Sequence, residues 1–348
     1  MKMANDTLQS MLVTHESALV ESTSAIVALI GVVEIAISLL GVLVILKSKE
    51  LRNIHFLTIC ILCFNDAVGG VSSVEFEIWQ IFNVYFVQRT VEIAYCCQRL
   101  FLLHTVQTND VMLVAVLSIE RTVAIFQPSF YRNVSPWKFP VPLLFAAFMF
   151  SLSMSLVMVI DGFQQNRSLM LCGSDDCWSS TITSTTFQYY FIVVSVVILL
   201  FNGICLIYVS WKARTYRKRN LLNIFRLKYK ESVRLMKTFG AIIAVMLILQ
   251  IFGRLFRIIS LSTDNIRVRF SLGNVFRVLN SLSAVSNFFI FLLTSDSFRF
   301  TLRNIIWQYL IYITFARGCW NQGFSLRSII GLKFLLVLLI RSLEVLSV

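Results

Sequence analysis

Seven stretches of this chain are long and apolar enough to cross a lipid bilayer, and nothing else in the sequence limits the fold so strongly. They lie near residues 24–46, 54–79, 92–125, 139–160, 187–211, 235–260 and 271–294. A hydrocarbon core needs roughly 20 mostly apolar residues per helix. Backbone polar groups must be satisfied internally in lipid, so only helices and closed barrels cross it. Ten-residue blocks of alternating hydropathy, which would mark a barrel, are absent. Of the 348 residues, 57% are hydrophobic and 14% charged, against about a quarter charged in soluble domains. That balance argues against a cytosolic enzyme. The expected fold is an all-α membrane protein, a bundle of seven transmembrane helices.

Lys and Arg in short loops set the orientation. Residues 212–237 hold ten basic side chains (Lys212, Arg214, Arg217, Lys218, Arg219, Arg226, Lys228, Lys230, Arg234, Lys237) against the single acid Glu231, and the first loop adds Lys47, Lys49 and Arg52. The 161–186 loop instead carries Asp161, Asp175 and Asp176 against Arg167. Loops 1–2, 3–4 and 5–6 are therefore expected inside and the N-terminus outside. Most of the net charge of +13 is then a topology signal rather than a nucleic-acid footprint. The sequons at Asn5 and Asn166 fall outside and are expected to be glycosylated, while Asn133 falls inside. The first 22 residues are polar and lack an apolar core, so no cleavable signal peptide is expected. The resulting organisation is an extracellular N-terminus (1–23), a seven-helix domain (24–304) and an unusually hydrophobic tail (305–348). In that tail, the segment from Ile329 to Leu346 is interrupted by Lys333 and Arg341 and reads as an interfacial helix or an eighth span.

At the inner end of the third helix stands SIERTVAIFQPSFY, residues 118–131. Glu120 and Arg121 are adjacent opposite charges where lipid meets cytosol, a place that demands pairing or use. Pro128 lies seven residues after Arg121, Tyr131 three further on, and Cys96 lies 25 residues before Arg121. This combination resembles the third helix and second inner loop of rhodopsin-like G-protein-coupled receptors. LRNIHFLTICILCFNDAVGG (51–70) is similar to the family's first inner loop and second helix, which assigns the buried acid to Asp66. SNFFIFLLTSDSFRFTLRN (286–304) resembles the end of helix 7 and a short membrane-surface helix, keeping Asn287 and Phe298–Arg299. There are departures: Phe288 and Phe291 replace the family's Pro and Tyr, Thr122 replaces Tyr, and Ser38 replaces the helix-1 Asn. Helices 5 and 6 lack their prolines, with Gly253 nearest to the latter. IERTVA together with RLKYKESVRLMKTF (226–239) is similar to the nematode serpentine chemoreceptors of the alpha, beta and epsilon group.

The resemblance implies a plasma-membrane receptor, working in a sensory cilium, that couples an extracellular small molecule to a heterotrimeric G protein. Glu120, Arg121 and Asn287 would form the activation switch. Asp66, Asp110, Ser38 and Asn287 would converge in mid-bundle and bind sodium, share a proton, or form a hydrogen-bonded cluster with one acid neutral. Cys96 or Cys97 can bridge to Cys172 or Cys177 in the oxidising compartment; the resemblance favours Cys96 and leaves its loop partner open. Leu103 stands where amine receptors carry Asp, flanked by His104 and Gln107, which disfavours amines. Arg254, Arg257 and Arg277 face Glu75 and Glu77 from the outer parts of helices 6 and 7. They either receive an anion or pair among themselves. The basic 212–237 stretch is expected to touch the G protein and anionic lipid. The alternatives are a neuropeptide receptor and an ion- or proton-coupled transporter using Asp66 and Asp110, although the internal repeats common in transporters are missing. No phosphate-binding glycine loop, HExxH or serine nucleophile elbow is present, and neither a cofactor nor a structural metal is expected.

Overall fold

The computed structural model describes residues 2–48, 54–83, 90–133, 138–165, 168–169, 173, 176–218, 223–263, 266–294 and 296–319. Asn166, Cys172 and the segment from residue 320 onward fall outside them, as do the side chains of Asn5 and of residues 221–239. Seven helices form the bundle: α1 (Lys2–Lys47), α2 (Ile54–Phe82), α3 (Ile93–Phe126), α5 (Pro140–Phe163), α6 (Thr181–Lys218), α7 (Asn223–Leu261) and α8 (Ile266–Thr294). Between α3 and α5 sits the one-and-a-half-turn α4 (Pro128–Asn133), and α9 (Asp296–Cys319) follows the bundle. Two short strands, β1 (Val91–Glu92) and β2 (Ser168–Leu169), pair antiparallel beside the outer end of α3.

Six of the seven helices carry a long apolar span, and α8 carries the shorter apolar segment Val275–Ile290. Arg277, Ser281, Ser283 and Asn287 give α8 a polar stripe among its apolar residues. Lipid-facing residues are large and apolar throughout: Leu29, Phe145, Val193, Leu200 and Ile204 are all exposed. Such an outer surface suits hydrocarbon and would be an aggregation hazard in water.

Small residues bring α1 and α2 together. A Cβ on Gly70 would lie 2.8 Å from the Gly31 carbonyl oxygen, and one on Gly31 would lie 3.2 Å from the Gly70 oxygen. Close backbone approach through glycine is a common way for membrane helices to pack. In the inner half, Ile59, Leu62, Leu113, Leu117, Ile243 and Leu247 fill one apolar core. A second core, at the outer end, joins Phe76, Ile93, Leu100, Met158 and Trp178 around Cys96, Cys97 and Cys177.

The helix after the bundle is longer than the short surface helix expected. It runs for 24 residues and takes in the whole apolar IIWQYLIYITF segment. Phe298, Leu302 and Ile305, spaced at one helical face, are buried, whereas Phe300, Trp307 and Tyr309 are exposed. That two-sided pattern is amphipathic. Lys47 Nζ donates to Gln308 Oε1 (2.9 Å), tying α9 to the inner end of α1.

Candidate functional site

At the inner end of α3, Glu120 has no exposed surface. Its Oε2 accepts a hydrogen bond from Thr58 Oγ1 of α2 (2.7 Å), and its Oε1 accepts one from the Tyr131 hydroxyl of α4. Pro128 opens α4, where a proline suits the first helical position. One turn later, Tyr131 points back at α3 and meets Phe139 edge-on (6.5 Å). Burial first, and then the Glu120 charge, push the Tyr131 phenol well above its ordinary value, so it acts as a donor. Arg121 is buried beside this clamp, and Glu120 and Tyr131 both act on its charge. A turn further out, Asn202 Nδ2 of α6 donates to Ser118 Oγ (2.8 Å). Sequence reading placed Glu120 and Arg121 here but missed Thr58.

The middle of the bundle gathers acids and amides. Asn287 Nδ2 of α8 donates to Asp66 Oδ2 (3.1 Å). On α3, Asp110 Oδ1 accepts from Asn65 Nδ2, and Asn109 Nδ2 donates to Asn65 Oδ1 (2.8 Å). Asn65 and Asp66 are neighbours in sequence, so the two hydrogen-bonded groups meet at one level of α2. Of the four residues expected to converge, Asp66, Asp110 and Asn287 do. Ser38 is buried on α1, but its hydroxyl is not among the hydrogen-bond partners described for the two acids. Its neighbour one turn outward is Glu34, a buried third carboxylate that acts electrostatically with Asp66 and Asp110. Glu34 Oε1 sits against Gly69, where a Cβ would come within 3.4 Å. A single acid inside an apolar first span is itself a signal, and it went unused. Glu34 Oε2, Asp66 Oδ1, Asn109 Oδ1 and Asn287 Oδ1 have no hydrogen-bond partner among the described residues.

Nearer the outside, the arginines separate into different roles. Arg277 of α8 pairs with Glu77 of α2 (2.9 Å) and donates to Gln80 Oε1 (3.4 Å). Glu75, grouped from sequence with the pocket, is half-exposed and pairs with Arg99 of α3. The correction is geometric: two residues along a helix turn about 200°, so Glu77 faces inward and Glu75 outward. Arg257 lies over Phe276 (5.6 Å), and Gly273 leaves room for it, since a Cβ there would meet Arg257 Nη1 at 2.8 Å. Arg254 lies over Phe191 (4.2 Å) and donates from Nη1 to Gln188 Oε1 of α6 (3.0 Å). Across the bundle, His104 Nδ1 and Ser155 Oγ of α5 are 3.0 Å apart, with the imidazole stacked on Phe187 (5.2 Å). Gln107 is half-buried one turn inward.

The outer end is closed by a disulfide between Cys97 of α3 and Cys177, packed against Gly162 of α5, where a Cβ would strike Cys97 Sγ at 2.6 Å. Cys177 is therefore the partner of Cys97, which corrects the expected Cys96–Cys177 alternative; Cys172, the other alternative, lies outside the described residues. Adjacent residues on a helix point about 100° apart, and sequence does not say which one faces the loop. Cys96 is also disulfide-bonded. Among the described residues, these three cysteines are the one cluster of His, Cys, Asp and Glu with ligand atoms within 4.8 Å of one another, and their oxidation removes them as metal ligands.

Residues 29–306, most of the chain and all seven bundle helices in part or whole, match the family model described as serpentine type 7TM GPCR chemoreceptor Srsx. No curated protein matches the chain. With a seven-helix bundle, a buried Glu-Arg pair at the inner end of α3 and a family match over most of its length, the chain belongs to the Srsx family of serpentine seven-transmembrane chemoreceptors.

Proposed function

We propose that this chemoreceptor sits in the plasma membrane of a sensory cilium and transmits the binding of a small extracellular molecule to a heterotrimeric G protein. The observation that carries the reading is the buried clamp at the inner end of α3, in which Thr58 and Tyr131 hold Glu120 beside Arg121. A carboxylate engaged by two hydroxyl donors from two other elements is a two-state device: ligand binding outside need only favour the arrangement in which the clamp is open. Arg121 is then available to the G protein, with the basic 212–237 stretch supplying further contacts to it and to anionic lipid. In this reading Asp66 and Asp110, with Asn287 and Ser38 nearby, take up a sodium ion or share a proton and set the balance between the states. Asn5 and Asn166 carry glycans on the outer side.

The test is G-protein activation in a heterologous cell, followed by resonance energy transfer between G-protein subunits across a panel of volatile, water-soluble and peptide compounds. A ligand response that disappears in Arg121→Ala at unchanged surface level supports the reading. Peptide-selective responses would move the ligand class to neuropeptides. Ligand-evoked current or uptake, abolished by Asp66→Asn and without G-protein activation, would replace the receptor with a transporter or channel.

A further inference from the structure

Arg254 stands apart from the other arginines of the outer half. Arg277 is neutralised by Glu77 and Arg99 by Glu75, whereas no carboxylate among the described residues pairs with Arg254. It is 5% exposed, and its Nε has no acceptor. Its polar contact is the neutral Gln188 Oε1 at 3.0 Å, and its flat face rests on Phe191. A guanidinium keeps its charge at physiological pH, and burying one without a counter-charge carries a penalty of several kcal/mol. Arg254 lies seven residues inside the end of α7, about 10 Å below the outer surface, so water does not relieve that penalty as it would at a rim.

Aromatic rings and unpartnered polar atoms surround it. Phe187, Phe191 and Trp178 form a connected aromatic wall, with ring centroids 4.7 and 5.2 Å apart along it. His104 of α3 is stacked on the same wall. Two more polar atoms on the elements that carry Arg254 and its wall lack partners: Gln250 Oε1, one turn inward on α7, and Ser195 Oγ, one turn inward of Phe191 on α6. Trp178 follows directly on Cys177, which is bonded to Cys97 at the outer end of α3.

We propose that Arg254 anchors the carboxylate of a small organic acid whose apolar body lies against Phe187, Phe191 and Trp178. The planar fork of a guanidinium matches a carboxylate edge-on, with charge-assisted hydrogen bonds stronger than neutral ones. Gln250 and Ser195 suit a hydroxyl or amide on the same ligand. The burial of Arg254 within the bundle favours a small acid over the C-terminus of a folded protein. The proposal rests on the receptor reading and deepens it by naming the ligand class.

The experiment uses the full-length chain purified in lipid nanodiscs and follows thermal unfolding, because a ligand that binds the folded state alone raises the melting temperature. The probes are hexanoate and benzoate, each compared with its neutral amide, at about 10 mM, far above the Kd expected of a cognate site. At least one acid should raise the melting temperature while its amide does not. In Arg254→Gln the affinity for that acid should fall roughly 10- to 100-fold, the range for losing hydrogen bonds to a charged group. The same substitution should leave the ligand-free protein as stable as before or more so, since an unbalanced buried charge is gone. Arg254→Lys, which keeps the charge and loses the fork, should fall between. No shift with either acid, equal shifts with the amides, a shift that survives Arg254→Gln, or an Arg254→Gln protein that fails to fold would each overturn the proposal. The readout needs no G protein, so a failure here and a failure of coupling are separate results.

Discussion

Replacing Tyr131 with Phe removes one hydroxyl and keeps the ring that packs against Phe139. Glu120 then loses the donor to Oε1 and keeps only Thr58 on Oε2. Glu120 is fully enclosed, so no water replaces the lost donor without rearrangement. A hydrogen bond to a charged group contributes roughly 1.5–3 kcal/mol. If the clamp belongs to the resting state, its loss shifts the resting-to-active equilibrium by roughly 10- to 150-fold, at about 1.4 kcal/mol per tenfold. A receptor about 1% active without ligand would become about 10–60% active. Thr58→Val removes the other donor at constant shape and should act in the same direction. The two together should give less than the product of their separate effects, because both act through one carboxylate. The assay is ligand-free G-protein activation by resonance energy transfer, normalised to receptor at the cell surface. Unchanged or lowered basal activity in both variants, at normal surface levels, would refute the assignment of the clamp to the resting state.

Further expectations concern stability, titration and topology. Truncating Glu77 to Ala leaves Arg277 without its buried counter-charge and should destabilise the protein by roughly 3–5 kcal/mol; in thermal melts, Glu77→Ala with Arg277→Leu should recover part of that loss, and no recovery would argue against a direct pair. Gly70→Ala drives a methyl group to 2.8 Å from the Gly31 carbonyl, so overpacking of about 1–3 kcal/mol should lower the melting temperature, whereas Gly203→Ala, which meets nothing within 4 Å, should not. The Tyr131 phenol is raised by burial and by Glu120; its stabilising contribution is therefore complete below about pH 10, the ordinary tyrosine value, and is lost only as pH rises through its higher folded value. Ultraviolet titration should show a late-ionising tyrosine that is missing in Tyr131→Phe. Finally, Asn5→Gln should increase gel mobility after expression in a glycosylating cell, while Asn133→Gln, exposed at the end of α4 on the inner side, should leave it unchanged.

The bundle was legible because its cause is written locally: apolar runs of membrane length and basic loops act segment by segment. Asp66, Asp110 and Asn287 were legible through family resemblance, and the structure brings them together. What sequence could not supply was rotation about helix axes. Glu75 and Glu77 look equivalent in the chain, yet one faces Arg99 at the surface and the other Arg277 inside. Cys96 and Cys97 pose the same ambiguity. Thr58 and Asn65 were missed because neutral hydroxyls and amides are unremarkable in a helix until the partner across the bundle is known. The three outer arginines likewise read as one group until Glu77 claimed Arg277 and left Arg254 to Gln188 and Phe191.

The Cys97–Cys177 bond also bears on when during biosynthesis the protein becomes a receptor. The helices can insert and pair as soon as they leave the translocon, since glycine contacts and apolar packing need no oxidant. Trp178 follows Cys177, which is tied to α3 by a bond of the kind that forms in oxidising compartments. A newly inserted chain therefore has its helix contacts before its outer end is covalently tied. Oxidation during maturation thereby becomes the step that fixes the outer end, and a chain with Cys97 still reduced would keep its seven helices in place while Cys177 and the neighbouring Trp178 lost their covalent tie to α3.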